Sequence, residues 1–339
     1  MEGKSPGIFL VKKRRKMMDK EKVAVGLWLF GKLSDRFMVY HGSRTLEEKM
    51  KEASKLKQIQ GLEVMYPVDF KDEEIDKFKG LLESYNLKVA SVIVDHFCDP
   101  KWMHGSFTSS DRKIREDAIQ LTKRAMDVSK QLECPRINLW LGQDGYDYLF
   151  QTDYKVSWDW LIEGIKTCAE YQPEVKVAVE YKIKEPRTHI FIATVGKALL
   201  LANAVNLKNV GVTLDIGHAL FCGENPSESL ILLDRWGKLF HLHLNDNYRE
   251  WDHDMIVGSV NLWDYLELFF WLKKIKYEGW YSLDVYPYRE NVVDACQQSI
   301  ENMRTLMGLV DKLGVERLTT LVQERDAAKT AEVLRGIFK

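Results

Sequence analysis

The sequence has few cysteines, no long apolar run and almost no net charge. Five cysteines among 339 residues are scattered without CxxC spacing, which argues against a disulfide framework and favours a reducing, cytoplasmic location. No apolar stretch approaches the ~20 residues that a membrane-spanning helix needs. The formal net charge of -1 at pH 7 gives no electrostatic reason to expect nucleic acid or an anionic membrane as a partner.

Motifs that cradle nucleotide phosphates, such as GxGxxG after a strand, are also missing. The composition, with 45% hydrophobic and 29% charged residues, is that of a globular protein with a large core. Residues 1–22 carry a basic KKRRK run and are predicted to be a disordered tail with no assigned function. Because α/β barrels commonly reach this length as one domain, we expect a catalytic domain at 23–313 and a C-terminal helical segment at 314–339.

Eight short apolar runs rich in β-branched residues recur along the chain, each followed by an amphipathic stretch with helical periodicity. The predicted strands are 23–29, 62–66, 89–94, 137–141, 177–181, 212–214, 240–244 and 281–285. The predicted helices are 46–56, 72–84, 111–131, 158–170, 190–204, 226–236, 262–275 and 291–313. Eight such βα repeats predict an α/β fold, a closed (β/α)8 TIM barrel, rather than an open sheet.

Local signals set some of the helix boundaries. Ser157 is expected to cap the helix at 158–170, and Pro226 to lie in the first turn of the helix at 226–236. A further helix at roughly 315–338 has no role in closing a barrel. It is predicted to pack on the outside of the barrel or on a neighbouring subunit.

Polar side chains stand at the carboxyl ends of four consecutive predicted strands, from the fifth to the eighth. In a closed barrel these ends meet at one face, where barrel enzymes build their active sites. The side chains are Glu180 and Lys182, Asp215 and His218, His243 with Asp252 and Asp254, and Asp284. Imidazoles with carboxylates are ligands of Mn²⁺, Mg²⁺ or Co²⁺ rather than of a thiolate zinc site. The pattern therefore predicts a divalent-metal site at this face.

Each of these residues also has a purely structural interpretation. Glu180 and Lys182 could form an ion pair in the barrel mouth, and Asp215 could cap the following helix. A lone histidine such as His218 is more often a core residue than a ligand. Metal binding is nevertheless favoured, because four consecutive strands each end in an oxygen or nitrogen ligand.

The first half of the barrel supplies aromatic residues near the same face. Trp28 ends the first strand, His96 follows the third, and Trp140 ends the fourth. Aromatic faces with a few polar groups suit a small polyhydroxylated ligand. For the two tryptophans, a place in the core is an equally good interpretation.

Several segments of the chain resemble a known family. They are WMHGSFTSSDRKIREDAI (102–119), INLWLGQDG (137–145), VEYKIKEP (179–186), LDIGHA (214–219), HLND with DHDMIVGS (243–259) and SLD (282–284). In these segments the chain resembles the xylose isomerase-like TIM barrel superfamily, and within it the L-rhamnose isomerases of the broad-specificity bacterial type. The resemblance spans most of the barrel.

The resemblance implies one or two divalent ions per subunit, with Mn²⁺ favoured over Co²⁺ and Mg²⁺. The ligands of the first ion would be Glu180, Asp215, His243 and Asp284. The ligands of the second ion would be His218, Asp252 and Asp254. The chain departs from the family pattern between His243 and Asp252, where it is one residue longer, and at His253, which is often an acid.

The resemblance also implies which residues contact the substrate. Lys182 would hydrogen-bond the O1 oxygen of the sugar. The substrate-binding residues would be Trp28, His96, Trp140, Lys182 and His218. The catalytic residues would be Lys182, Asp254, Asp252, Glu180 and Asp284. His241 lies on the same strand face as His243 and is interpreted as a supporting residue one layer deeper in the barrel.

The implied activity is metal-dependent isomerisation of an aldose to its 2-ketose by hydride shift, on a monosaccharide, in a homodimer or homotetramer. The alternative within the superfamily is a ketose 3-epimerase that uses Glu180 and Asp284 as an acid/base pair around one metal. Metal-dependent phosphodiester cleavage shares the barrel, but the near-neutral charge does not favour a phosphate-binding groove. A non-catalytic sugar-binding protein is a further alternative, which the complete ligand set disfavours.

Overall fold

A computed structural model describes residues 21–338, and within this range eight parallel strands close into a barrel. The strands are β1 Lys22–Gly26, β2 Gly61–Tyr66, β3 Lys88–Val94, β4 Arg136–Trp140, β5 Lys176–Glu180, β6 Val210–Asp215, β7 Leu239–Leu244 and β8 Trp280–Leu283. Each strand pairs with the next one in sequence, and β8 pairs with β1 to close the ring. The predicted TIM barrel is confirmed. Residues 1–20, which make up most of the predicted tail, lie outside the described residues.

Helices surround the barrel and follow the predicted order. They are α1 Leu46–Ala53, α2 Ile75–Tyr85, α3 Arg112–Gln131, α4 Tyr154–Tyr171, α5 Val195–Val205, α6 Ile216–Phe221, α7 Pro226–Arg235, α8 Leu262–Lys274, α9 Val292–Leu313, α10 Val315–Glu324 and α11 Ala327–Arg335. No helix in residues 21–338 is long and apolar enough to cross a membrane. The short helix α6 directly after β6 did not appear in the predicted pattern.

The strand register brings the polar ends of neighbouring strands side by side. Asp215 on β6 is in register with His243 on β7, and Trp140 on β4 is in register with Glu180 on β5. Most of the other side chains on these strands are apolar, and every residue of β2 and β6 is buried. Parallel strands buried on both faces are the rule inside such barrels. The closed ring thus places the four strand ends at one face.

Two predicted helix boundaries have different outcomes in the structure. Pro226 lies at the start of α7, as predicted. The cap of α4 is Asp153 and not Ser157, because the helix begins one turn earlier, at Tyr154. The Asp153 carboxylate accepts a hydrogen bond from the backbone N–H of Val156 at 3.0 Å, and Ser157 instead contacts the Thr152 hydroxyl at 2.8 Å.

The C-terminal segment consists of two helices and not the single helix predicted at 315–338. The chain turns at Arg325, whose φ of 56° is in the left-handed region, and Asp326 then caps α11 through the N–H of Lys329 at 3.0 Å. The helix α10 packs against α8 and α9 on the outside of the barrel, and Leu321 is buried there. A contact of this segment with another subunit stays a prediction.

Candidate active site

Four side chains from four strands converge at the carboxyl face, and we call Glu180, Asp215, His243 and Asp284 the four-ligand set. One potential ligand atom of each lies within 4.8 Å of those of the others. The Nδ1 atom of His243 is 3.2 Å from Glu180 Oε1, 3.4 Å from Asp284 Oδ2 and 3.7 Å from Asp215 Oδ2. Three of the four residues are buried. These residues are the ones that the family resemblance implied as ligands of a first ion.

The charges in the four-ligand set fit a divalent cation. Three carboxylates, two of them buried, are brought together, and such a group repels itself unless a cation is present. Burial, opposed by His218 and assisted by Glu180, raises the pKa of Asp215 to about 7. Burial disfavours a charge on His243, but Glu63 and Glu180 raise the pKa of the imidazole well above its usual value. Oxygen donors with one imidazole nitrogen suit Mn²⁺, Co²⁺ or Mg²⁺.

A second group of polar side chains lies beside the four-ligand set. Asp252 Oδ2 is 3.1 Å from His218 Nε2 and 2.8 Å from the Lys182 ammonium nitrogen. Lys182 also contacts Glu185 Oε1 at 2.5 Å. Burial would lower the pKa of Lys182, but Asp252 and Glu185 outweigh it and raise that pKa.

Asp254 is half-buried beside this second group, and its φ is 48°. Burial and the nearby charge of Asp252 raise the pKa of Asp254 well above its usual value. Within residues 21–338, the candidate metal groups are the four-ligand set and the cluster of Glu63, His241 and His243. His218, Asp252 and Asp254 do not form a further compact group of this kind, so a second ion there stays a prediction.

A cavity of about 230 Å³ opens above both groups. Its floor includes Glu180 and Asp284, and Lys182 and His218 line it as well. The tryptophans predicted as pocket wall, Trp28 and Trp140, are among its lining residues. The indole N–H of Trp28 donates to Asp284 Oδ1 at 3.2 Å, and the Trp140 ring lies 5.3 Å from the Lys182 ammonium. The cavity thus combines aromatic walls with a polar floor.

The structure does not place His96 in this cavity, and the prediction of His96 as a pocket residue is corrected. Its side chain is fully buried, with Nε2 at 3.2 Å from the carbonyl oxygen of Ala118. Burial lowers the pKa of His96 to about 3, so the ring is neutral. The next residue, Phe97, lines the cavity instead. The strand ends at Val94 and the chain bends at His96 and Phe97, so the sequence alone did not show which of these two side chains turns towards the cavity.

Glu63 on β2 was missed by sequence reasoning, although it belongs to the site. Its side chain is buried between two histidines, with Oε1 at 2.6 Å from His241 Nε2 and Oε2 at 3.1 Å from His243 Nε2. The available signal was a single acid inside the apolar strand GLEVMY, where an unpaired carboxylate is costly. His241 itself lies one layer below His243, as predicted.

Two asparagines orient the carboxylates of the four-ligand set. The Asn138 amide donates to Glu180 Oε2 at 2.6 Å, and the hydroxyl of Thr213 donates to Asn138 Oδ1 at 2.6 Å. The Asn245 amide donates to both oxygens of Asp215, at 3.0 and 3.2 Å. These fixed donors hold one edge of each carboxylate, as supporting residues of metal ligands commonly do.

Gly217 allows Asn245 to approach Asp215. A Cβ atom at Gly217 would overlap the side-chain amide of Asn245. We expect Gly217→Ala to lower the free energy of unfolding by about 1–3 kcal/mol, because the amide must move out of a packed site, and to weaken metal binding. Isothermal titration with Mn²⁺ and urea denaturation measure the two effects.

A matched control for this substitution is Gly80→Ala. Gly80 lies in α2, and a Cβ there meets no atom within 4 Å. Replacing it should raise the free energy of unfolding by about 0.5–1 kcal/mol, because alanine restricts the unfolded chain and favours the helix. If the two variants changed stability with the same sign, close approach at Gly217 would not be the cause.

Asp246 holds together the loop that carries Asp252 and Asp254. Its carboxylate accepts from the backbone N–H groups of Val260 at 2.8 Å and Asn261 at 3.0 Å, and from the Asn261 amide at 2.6 Å. We expect Asp246→Ala to lower the free energy of unfolding by about 3 kcal/mol, because buried donors lose a charged acceptor. Urea denaturation measures this change.

The control for Asp246→Ala is Asp234→Ala on the exposed side of α7. Surface substitutions of this kind usually change stability by less than about 0.5 kcal/mol. Equal unfolding midpoints for the two variants would show that Asp246 does not stabilise the loop.

Comparisons with known proteins identify the family of the chain. A family model described as "Xylose isomerase-like TIM barrel" matches residues 51–306. The xylose isomerase of Thermus thermophilus is 30% identical over 202 residues, 58% of this chain and 52% of that protein. The xylose isomerase of Thermus caldophilus is 30% identical over 198 residues, 57% of this chain and 51% of that protein. The chain therefore matches about half the length of these curated relatives.

A similar fold is found among solved structures. A D-tagatose 3-epimerase-like protein superposes with a TM-score of 0.70 at 19% identity, covering 86% of this chain and 98% of that one. At this identity the likeness is one of fold alone. The family match covers most of the barrel strands and the four-ligand set. The chain belongs to the xylose isomerase-like TIM barrel family.

Proposed function

We propose that the protein is a metal-dependent sugar isomerase that interconverts an aldose and its 2-ketose, of the L-rhamnose isomerase-like type. One observation carries this proposal: the Lys182 ammonium, Glu180 and Asp284 face the same cavity of about 230 Å³. That volume is smaller than a typical drug-sized pocket and suits a monosaccharide. The reaction needs cationic groups at neighbouring sugar oxygens, and the cavity offers an ammonium beside a cation-binding carboxylate set.

Each residue has a role in this proposal. The four-ligand set would hold an ion, with Mn²⁺ as the favoured metal, that supplies Lewis-acid stabilisation of negative charge on the sugar oxygens. Lys182 would donate a hydrogen bond to O1 of the open-chain sugar and stabilise the charge that develops there. Trp28 and Trp140 would exclude water from the apolar edge of the sugar.

The hydrogen on C2 of the aldose would move with its electron pair to C1, while a proton leaves O2 and another reaches O1. Asp252 and Asp254 line the cavity and are the carboxylates available to take and return that proton. Oδ1 of Asp252 is buried and has no hydrogen-bond partner among the described residues. Burial would raise the pKa of Asp252, but Lys182 and His218 outweigh it and hold that pKa well below its usual value, so Oδ1 is an ionised oxygen that could accept a hydrogen bond from a sugar hydroxyl. His218 holds the other oxygen, Oδ2, at 3.1 Å.

A ketose 3-epimerase is the second candidate, and one observation favours it. Only one compact ligand set of three carboxylates and an imidazole lies under the cavity in residues 21–338, whereas Asp252 is paired with Lys182 and His218. A single ion between Glu180 and Asp284 suits proton transfer on the two faces of the carbon next to a carbonyl. The Lys182 ammonium, which such a reaction does not require, favours the isomerase.

Isotope transfer distinguishes the two reactions. The Mn²⁺-loaded protein is incubated with a panel of aldoses deuterated at C2 and, separately, with ketoses in heavy water. For the isomerase, deuterium from C2 should be recovered at C1 of the ketose. Solvent deuterium entering C3 of a ketose, with no aldose formed, would instead support the epimerase and contradict the isomerase.

Asp254→Ala tests the role of the second group. The four-ligand set is intact in this variant, so Mn²⁺ should still bind by isothermal titration, while turnover should be lost because the proton acceptor pair is broken. Asp264→Ala, at a half-buried surface ion pair with Arg249, is the control and should retain turnover. Full activity of Asp254→Ala would contradict a mechanism that uses this carboxylate.

A further inference from the structure

A continuous line of charged and polar side chains runs beneath the four-ligand set. We call Arg136, His241, Glu63 and His243 the buried relay. Their side chains come from β4, β7 and β2, and each residue is less than one-tenth exposed. A guanidinium nitrogen of Arg136 is 2.7 Å from His241 Nδ1 and 2.7 Å from the carbonyl oxygen of Phe240. Glu63 then joins His241 Nε2, at 2.6 Å, to His243 Nε2, at 3.1 Å.

The donors and acceptors of this relay fix where its protons lie. Arginine has only donors, so His241 Nδ1 must accept the hydrogen bond from Arg136. The single N–H of a neutral His241 is therefore on Nε2, and it donates to Glu63. An ionised carboxylate only accepts, so His243 Nε2 must also carry a hydrogen and donate to the second oxygen of Glu63.

The consequence concerns the other nitrogen of His243. When an ion occupies the four-ligand set it displaces any proton from Nδ1, and with the hydrogen held on Nε2 the lone pair of His243 that could face the ion is the one on Nδ1. This is the atom that lies 3.2 Å from Glu180 Oε1 and 3.4 Å from Asp284 Oδ2. We propose that Glu63 is a positioning residue that fixes the metal-binding tautomer of His243, and that Arg136 acts through His241 to keep Glu63 in place as an acceptor.

Another interpretation of the same residues is a separate metal site. Glu63, His241 and His243 offer ligand atoms within 4.8 Å of one another. However, the two histidine nitrogens that face Glu63 both carry hydrogens and have no lone pair for a metal. The permanent positive charge of Arg136, in contact with His241, repels a cation as well. The contacts therefore favour a hydrogen-bonded support over a site.

The inference rests on the ion of the proposed function but not on the reaction, and metal binding tests it directly. In Glu63→Gln the carboxamide offers one acceptor where two imidazole N–H groups need two. Loss of such a support commonly weakens metal affinity 10- to 100-fold, and we expect this change for Mn²⁺ by isothermal titration. Arg136→Met, which leaves Glu63 itself intact, should weaken Mn²⁺ affinity in the same direction, by about tenfold.

The matched control is Asp144→Asn. Asp144 is equally buried and accepts hydrogen bonds from Ser106 and Thr108, but it lies outside the four-ligand set and the relay. The Asp144→Asn variant should be less stable than the wild type and should bind Mn²⁺ with wild-type affinity. If the role of Glu63 were purely structural, Glu63→Gln would likewise lose stability and keep its Mn²⁺ affinity.

A spectroscopic measurement reports the tautomer itself. In Zn²⁺-loaded protein labelled with ¹⁵N-histidine, long-range proton–nitrogen correlations should give His243 a hydrogen on Nε2 and a metal-bound Nδ1. In Glu63→Gln the Nε2 proton should shift upfield or exchange with solvent. A wild-type His243 that binds through Nε2, or a Glu63→Gln affinity within twofold of wild type, would overturn the inference.

Absence of metal binding in the wild-type protein would give a different result. If the wild-type protein bound no divalent metal, the proposed function would be wrong, and the buried relay would have no metal-bound His243 to position. One bound ion per chain in the wild type supports the relay as described. Two ions in the wild type and one in His241→Asn would assign the cluster as a metal site and overturn the inference.

Discussion

Removal of divalent metal with EDTA is expected to abolish turnover, and addition of Mn²⁺ is expected to restore it. The four-ligand set places three carboxylates and one imidazole within 4.8 Å, and the Lys182 ammonium by itself could stabilise charge on only one of the two reacting sugar oxygens. A Lewis acid contributes several kcal/mol of transition-state stabilisation, which corresponds to a loss of about a thousandfold or more in rate. Turnover of the sugar panel before and after chelation measures this effect.

The same treatment should lower thermal stability. An ion that binds only the folded chain stabilises it by about 2.7 kcal/mol when its free concentration is 100 times its Kd. Glu180→Gln should respond much less to Mn²⁺ and EDTA in thermal unfolding, because it lacks one ligand. Glu170→Gln, on the exposed side of α4, should respond like the wild type. Full turnover in EDTA would contradict a metal-dependent reaction.

The four-ligand set could be predicted because each member is fixed by a strand. Glu180 and Asp215 are the last residues of β5 and β6, and Asp284 follows β8 directly. Their position at the strand ends therefore places them at the same level of the barrel. Because the ring is closed, side chains at that level lie close together. Short-range patterns therefore identify these residues as candidate ligands without knowledge of loop paths, and the family resemblance supplied their grouping around one ion.

The group around Asp252 could not be predicted in the same way. Asp252 and Asp254 lie on a loop whose path depends on Asp246 and its contacts with Val260 and Asn261. Asp254 also has a left-handed backbone, which no local pattern of this loop indicates. The contact between Asp252 and Lys182 joins residues far apart in sequence, so only the folded loop determines it.

Glu63 illustrates a different limit of the sequence. A charged residue in an apolar strand signals that a partner exists, but it does not say on which strand the partner lies. Here the partners are His241 and His243, which are 178 and 180 positions away. The closed barrel makes them neighbours, because β2 and β7 both point side chains into its interior.

Lys182→Met is expected to lower turnover about 10²- to 10³-fold and also to destabilise the protein. The turnover loss follows from removal of a preorganised donor at the charge that develops on O1. The stability loss follows from Asp252, whose carboxylate is 2.8 Å from the ammonium and buried. Breaking such a buried pair leaves an uncompensated charge and costs about 3 kcal/mol. Steady-state kinetics and urea denaturation measure the two effects, and Lys184→Met, at an exposed lysine nearby, should change neither strongly.

A second substitution separates the catalytic role of Lys182 from its structural role. In Lys182→Met with Asp252→Asn the buried negative charge is gone, so most of the lost stability should return, and the double-mutant cycle should give a large coupling energy. Turnover of the double variant should be lower than that of Asp252→Asn alone, because the donor to the sugar is missing in addition to the Asp252 carboxylate. If the double variant turned over as fast as Asp252→Asn, Lys182 would serve only to neutralise Asp252, and its proposed contact with the substrate would be wrong.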